Sequence, residues 1–162
     1  MAIPDFVVAL RTKIGTAPLW LSGVTAVVLK DDQLLLVRRA DNGAWTPVTG
    51  IIDPGEQPAD AAVREVVEES GVRVVPERLA GIGVTDVVVY DNGDESAYLD
   101  LTFRMRWTDG DPYPADGENT EARWFPLDAL PPMSSEMMGR IEAALSDRPS
   151  ALFRYAGGQL EG

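Results

Sequence analysis

Glu65, Glu68 and Glu69 are the residues whose types and spacing could do chemistry. On a helix they fall at i, i+3 and i+4, so three carboxylates share one face. Like charges at that spacing oppose helix formation, and these lie in the C-terminal half, where the helix dipole disfavours anions. A sequence shaped by helix stability alone seldom does this. A cation held between the carboxylates turns the cost into a binding site. Arg64, four residues before Glu68, can restrain that side chain through a bidentate pair. The rest of the segment supplies Ala59, Ala62, Val63, Val66 and Val67, so the helix is expected to dock while its acid face looks outward. Taken alone, Glu-x-x-Glu-Glu also reads as a solvated acidic face. The chain has no histidine and no cysteine. Imidazole catalysis, thiol nucleophiles, disulfides and His- or Cys-ligated metals are therefore excluded. Oxygen-only ligation favours hard ions such as Mg²⁺, Mn²⁺ or Ca²⁺.

The surroundings of the cluster narrow the reading. Gly50, five residues, Glu56, seven residues, Arg64-Glu65, the aliphatic Val66, one residue, Glu68-Glu69, one residue, Gly71 and Val72 form one continuous pattern. It resembles the signature box of the Nudix hydrolase superfamily at every specified position, far more specific than a lone short motif. The resemblance implies an α/β/α sandwich around a curved mixed β-sheet (an α/β or α+β fold), with residues 1–162 as a single domain. It implies that Glu65, Glu68 and Glu69 bind Mg²⁺ or Mn²⁺, that the Gly50 carbonyl adds a ligand, that Glu56 braces the loop, and that Arg64 orients a glutamate. One departure lies just upstream. Similar proteins commonly carry Pro-Gly-Gly before the glutamate of the box, where this chain has Pro47-Val48-Thr49-Gly50, so a side chain is added beside the expected metal loop.

The same resemblance implies a reaction: attack of water on one phosphorus of a pyrophosphate, with no covalent enzyme intermediate. Mg²⁺ would withdraw charge from the phosphoryl oxygens and ease ionisation of that water. The expected substrate is a nucleoside diphosphate linked to another group: ADP-ribose or a nucleotide sugar, a nucleoside triphosphate, or a dinucleoside polyphosphate. In similar enzymes the base is a glutamate of the box or one from a distant loop. Here Glu118 is the first choice as base or outer metal ligand, and Glu121 is read as the start of a strand. For substrate binding, strand alternation sends Arg38 and Arg39 to opposite faces, so one can meet phosphate while the other meets solvent. Trp45 is the stacking candidate nearest the box, with core anchor as its other reading. Tyr90 resembles the tyrosine of members acting on dinucleoside polyphosphates. Trp20, Trp107, Trp124 and Phe103 read as core. Two rival functions remain: hydrolysis of a non-nucleotide pyrophosphate, and a binding or regulatory module with the fold but without turnover.

The elements that must position these groups follow from periodicity. Phe6, Val7, Leu10 and Ile14 predict an N-terminal helix over about 3–15. A strand over Val24–Leu29 turns at Asp31-Asp32 into a hairpin partner, Leu34–Arg38. An extended piece through Trp45 and Val48 leads to the tight Asp53-Pro54-Gly55 loop. The helix Pro58–Ser70 follows, with Pro58 in its first turn and Gly71 as its cap. Strands are expected over Leu79–Tyr90 and Ala97–Trp107 around an Asp91-Asn92-Gly93 turn. Asp109–Thr120 reads as a flexible polar loop, Ala122–Pro126 as a strand and Ser135–Leu145 as a helix. The tail from Ser146 carries weak signals. At net charge −12, from 14 basic and 26 acidic residues, a nucleic-acid polymer is not an expected partner. No stretch reaches the roughly 20 apolar residues of a membrane span. With no export signal, the cytoplasm is the expected compartment; a homodimer is left open.

Overall fold

The computed structural model describes residues 3–156 and 158–160. Along the chain come α1 (Asp5–Ile14), β1 (Leu19–Lys30), β2 (Gln33–Arg39), β3 (Trp45–Thr46), β4 (Val48–Ile51) and α2 (Pro58–Ser70). Then follow β5 (Arg73–Val84), β6 (Val88–Val89), β7 (Glu95–Asp109), β8 (Asn119–Pro126), α3 (Ser135–Leu145), β9 (Phe153–Tyr155) and β10 (Gly158–Leu160).

One mixed sheet carries the fold. β1 runs parallel to β7 from Leu19↔Ser96 to Leu29↔Arg106, and β7 pairs antiparallel with β5 at the edge. β1 and β2 pair only beside their two-residue turn, at Leu29↔Leu34 and Lys30↔Gln33, and then diverge. The two short strands fill the gap: β4 pairs with β1 and β3 with β2. β8 closes the other side of β2. Strand alternation divides the core. Val24, Ala26 and Val28 face α2 with Leu35, Val37, Val66 and Met105, whereas Val27, Leu29, Leu34 and Leu36 pack with Ile141 and Ala144 of α3. Helices therefore cover both faces, the layered arrangement that the box resemblance implies.

The predicted helices Pro58–Ser70 and Ser135–Leu145 have the same bounds in the structure. Ser134 caps α3, its hydroxyl accepting from the Met137 amide. Gly71 ends α2 at φ +71°, the left-handed conformation that glycine adopts without strain. Several strand limits differ from expectation. β1 starts five residues before Val24, because the stretch broken up by Ser22 and Gly23 is held in the ladder with β7. The strand expected at Leu79–Tyr90 starts at Arg73, ends at Val84 and resumes as β6. Pro76 hid its first half, and an edge position tolerates that proline beside a register shift between Pro76 and Arg78. The weak tail returns to the sheet. The Leu152 amide donates to the Ala80 carbonyl, and the Ile82 amide to the Leu152 carbonyl. No helix among the described residues is long and apolar enough to cross a membrane.

Candidate active site

The box folds as a loop and helix tied together by Arg64. Its Nε donates to Glu56 Oε1 at 2.8 Å and its Nη2 to Glu56 Oε2 at 3.0 Å. Nη2 also reaches the Ile51 carbonyl at 3.1 Å, and Nη1 reaches Glu65 at 3.0 Å and Glu68 at 3.2 Å. Glu56 in turn accepts from the Asp53 amide at 3.1 Å. This bidentate pair raises the Arg64 pKa and lowers that of Glu56. One guanidinium thus fixes the turn Asp53–Glu56, the end of β4 and two helix carboxylates.

The acid face does not look outward as the spacing suggests. Glu65 and Glu69 are 6% and 5% exposed, while Val67, expected on the docking face, is 43% exposed. Glu68 remains at the surface. The helix is rolled so that Ala61, Ala62, Glu65, Val66 and Glu69 meet the sheet. Burial pushes the Glu65 and Glu69 carboxyls up to about 7, each raised further by a neighbouring glutamate, Glu68 and Glu65 respectively. Gly50 makes room: a Cβ there would lie 2.1 Å from the Glu65 carboxyl carbon. Thr49, flagged by its departure from the usual glycine, alternates to the opposite side of β4 and pairs with Thr25, so the added side chain points away from Glu65.

Opposite Glu69 stand two further acids. Carboxylate oxygens of Glu69, Asp116 and Glu118 lie within 4.8 Å of one another. The Asn119 amide donates to Glu69 Oε2 at 3.1 Å and is itself buried. Sequence reading singled out Glu118 but not Asp116 or Asn119. Asp116-Gly117 has the composition of a turn, and Asp116 Oδ1 accepts from the Glu118 amide at 3.0 Å. Asn119 left no comparable trace. The β2–β8 register slips between Arg38/Arg39, pairing Arg38 with Glu121 and Arg39 with Asn119. That irregularity brings Asn119 round to Glu69. Glu121 stays on the far face, ion-paired to Arg38 at 3.0 Å and Arg123 at 3.8 Å.

The two arginines separate as alternation requires. Arg39 is held by Asp41 through two bonds of 2.9 and 2.5 Å. Those bonds raise its pKa against the cost of burial, and the charge of Glu69 adds to the effect. Arg38 stays exposed, 5.9 Å from the centre of the Trp45 ring. Trp45 packs edge-on against Phe125 at 4.8 Å in the α3-side cluster, where it is partly buried. The Tyr90 hydroxyl pairs with that of Tyr98 at 2.6 Å, beside the turn into β7. Tyr98, not anticipated from sequence, also packs on the α1 cluster.

The donor set suits a hard divalent cation: it is all oxygen, it is crowded with like charge, and Gly50 leaves space for the buried Glu65 carboxylate. A mixed sheet between helices, with clustered carboxylates and no thiol or imidazole, is an arrangement able to hold a hard divalent ion and carry metal-assisted chemistry. Residues 20–145 match the NUDIX domain family. The chain is 34% identical over 127 residues to a MutT-like protein of Streptomyces ambofaciens, covering 78% of this chain and 74% of that one. It is 32% identical over 130 residues to the NAD-capped RNA hydrolase NudC of Pseudomonas syringae, where 77% of this chain spans 44% of the relative, less than half its length. Among solved structures, a NUDIX hydrolase from Nitrosomonas europaea superposes with a TM-score of 0.62 at 31% identity, covering 76% of this chain and 86% of that one. The chain belongs to the Nudix hydrolase family.

Proposed function

We propose that this enzyme hydrolyses the pyrophosphate bond of a small nucleoside diphosphate derivative, using Mg²⁺ or Mn²⁺ held by Glu65, Glu68, Glu69 and the Gly50 carbonyl, with Glu118 from the distant loop. The observation that carries this reading is the meeting of Glu69, Asp116 and Glu118 from two separate parts of the chain. A divalent cation bound there would offset the phosphate charge that repels a nucleophile and would help water ionise. The chain's own groups supply the rest. Arg64 restrains Glu65 and Glu68 through one guanidinium nitrogen, which narrows the conformations they must give up on binding a cation. Asn119 holds one oxygen of Glu69 and leaves the other for the cluster. In this reading Glu118 either takes the proton of the attacking water or serves as an outer ligand of the metal. Arg39, fixed by Asp41, is the cation that meets a phosphate, and Tyr90 is the candidate to contact the linked group.

One relative is named for NAD-capped RNA. The end of such a polymer still presents a nucleotide pyrophosphate, so that activity is compatible with a site built for a small group. The net charge of −12 argues against wider contact with a polymer. The cytoplasm remains the proposed compartment. The test is a turnover screen with Mg²⁺ and with Mn²⁺ over ADP-ribose, nucleotide sugars, nucleoside triphosphates, dinucleoside polyphosphates and NAD-capped RNA. Metal-dependent release of a nucleoside monophosphate, abolished by EDTA, is the expected result. Tight nucleotide binding without turnover of any of them would replace this reading with a binding module.

A further inference from the structure

The segment between β7 and β8 reads as a flexible loop by composition, yet it is built onto the end of α2. The last carbonyls of a helix have no partner within it. Here the Tyr113 amide donates to the Ser70 carbonyl at 3.0 Å and the Ala115 amide to the Glu69 carbonyl at 3.2 Å. The Trp107 indole donates to the Gly110 carbonyl at 2.8 Å, fixing the segment where it leaves β7. Between these points the Tyr113 ring lies directly on Gly71. A Cβ on Gly71 would come 2.2 Å from Tyr113 Cε1 and 2.9 Å from Cζ. The glycine that ends the box is thus required twice, once by its left-handed φ and once by the ring seated on it.

Three carboxylates within 4.8 Å repel one another, and that repulsion pushes Asp116 and Glu118 away from Glu69. Something must oppose it before a cation arrives. We propose that Tyr113 is a positioning residue: its ring, seated on Gly71, latches the 110–118 segment to α2 and holds Asp116 and Glu118 facing Glu69. The inference rests on the reading of those three acids as one metal site. Glu69 is the pivot, because its carbonyl binds the segment while its carboxylate faces the acids that the segment carries. The seat costs the fold little to lose, since Tyr113 is 57% exposed.

The test uses the full chain without substrate, with Mn²⁺ alone as the probe. Tyr113→Ala should leave the melting temperature within about 2 °C, as for a surface change. It should speed amide exchange at Ala115 at least about tenfold and weaken Mn²⁺ binding by calorimetry about tenfold, the scale of a lost supporting partner. Tyr113→Phe, which keeps the ring, should restore both. A merely structural tyrosine would not couple exchange in the segment to metal affinity at constant stability. Mn²⁺ affinity within twofold of the parent in Tyr113→Ala, or failure of the Phe variant to restore it, overturns the latch. Glu118→Gln and Asp116→Asn separate the two readings. If they weaken Mn²⁺ binding and Tyr113→Ala does not, only the latch is wrong; if neither does, the three-acid site falls and the latch with it.

Discussion

Replacing Glu69 with glutamine should stabilise the metal-free protein, and by an amount that depends on pH. Burial pushes this carboxyl up to about 7 from an ordinary value of 4.5. In the unfolded chain it titrates near the ordinary value. Below 4.5 the group is neutral in both states and costs nothing. Between 4.5 and 7 the unfolded state ionises while the folded state resists, so stability falls as pH rises. Above 7 the folded state carries the whole penalty, about 3 kcal/mol. Glutamine removes the charge, and its side-chain oxygen can still accept from Asn119. At pH 8.5 in EDTA, Glu69→Gln should therefore melt about 6–12 °C higher than the parent, at roughly 2–4 °C per kcal/mol for a chain of this size. At pH 4.5 the two should melt together. Mg²⁺ should raise the melting temperature of the parent more than that of the variant, while the Mg²⁺-dependent rate of the variant falls at least ~10²-fold. Thermal melts by circular dichroism across this range decide it. A variant no more stable than the parent at pH 8.5, or equally favoured at pH 4.5, would refute the argument from burial.

Glu118→Gln should lower kcat at least ~10-fold with KM little changed, whereas Glu121→Gln, on the far face with Arg38 and Arg123, should leave both near the parent values; equal loss in the two mutants would discard Glu118 as the base. Arg39→Ala should raise KM for a phosphate-bearing substrate about tenfold or more while Arg38→Ala does not, and initial-rate kinetics on the pair would expose an inverted assignment. Gly50→Ala should leave the protein folded, because the clashing Glu65 side chain can swing aside, yet it should abolish activation by Mg²⁺. Retained activation with Glu65 displaced in a crystal structure would show that Glu65 is not a ligand.

What the sequence revealed and what it hid divide along physical lines. Both longer helices were legible to their ends, because Pro58 and Gly71 are local signals and the apolar spacing in each helix is regular. The opposite fates of Arg38 and Arg39 followed from the two-residue period of a strand. Glu121 could have been dismissed by the same rule, since it alternates with Ala122 and shares its face with Arg123 and Phe125. The roll of α2 was not legible. Its apolar and acidic residues interleave, and only the sheet beneath determines that Glu65 and Glu69 turn inward while Val67 turns out. Asn119 was hidden for another reason: its side chain reaches Glu69 through a register slip, a feature of two paired strands that neither strand encodes alone. The start of β5 was obscured by Pro76, whose placement becomes intelligible only once the strand is known to lie at an edge.

That edge has a bearing on colloidal behaviour. An open strand rim is a template on which another chain can add itself, and β5 offers an attractive one, with Ile82 and Val84 exposed and Val87 and Val89 close behind. The residues after α3 blunt it: Leu152 occupies the Ala80 carbonyl and the Ile82 amide in the manner of a one-residue strand. A chain cut just after α3 would keep every residue proposed for turnover and should still be a worse protein, prone to self-association through the uncovered rim. Loss of the tail would then show as aggregation on concentration, and activity measured on a fresh dilute sample would not register it.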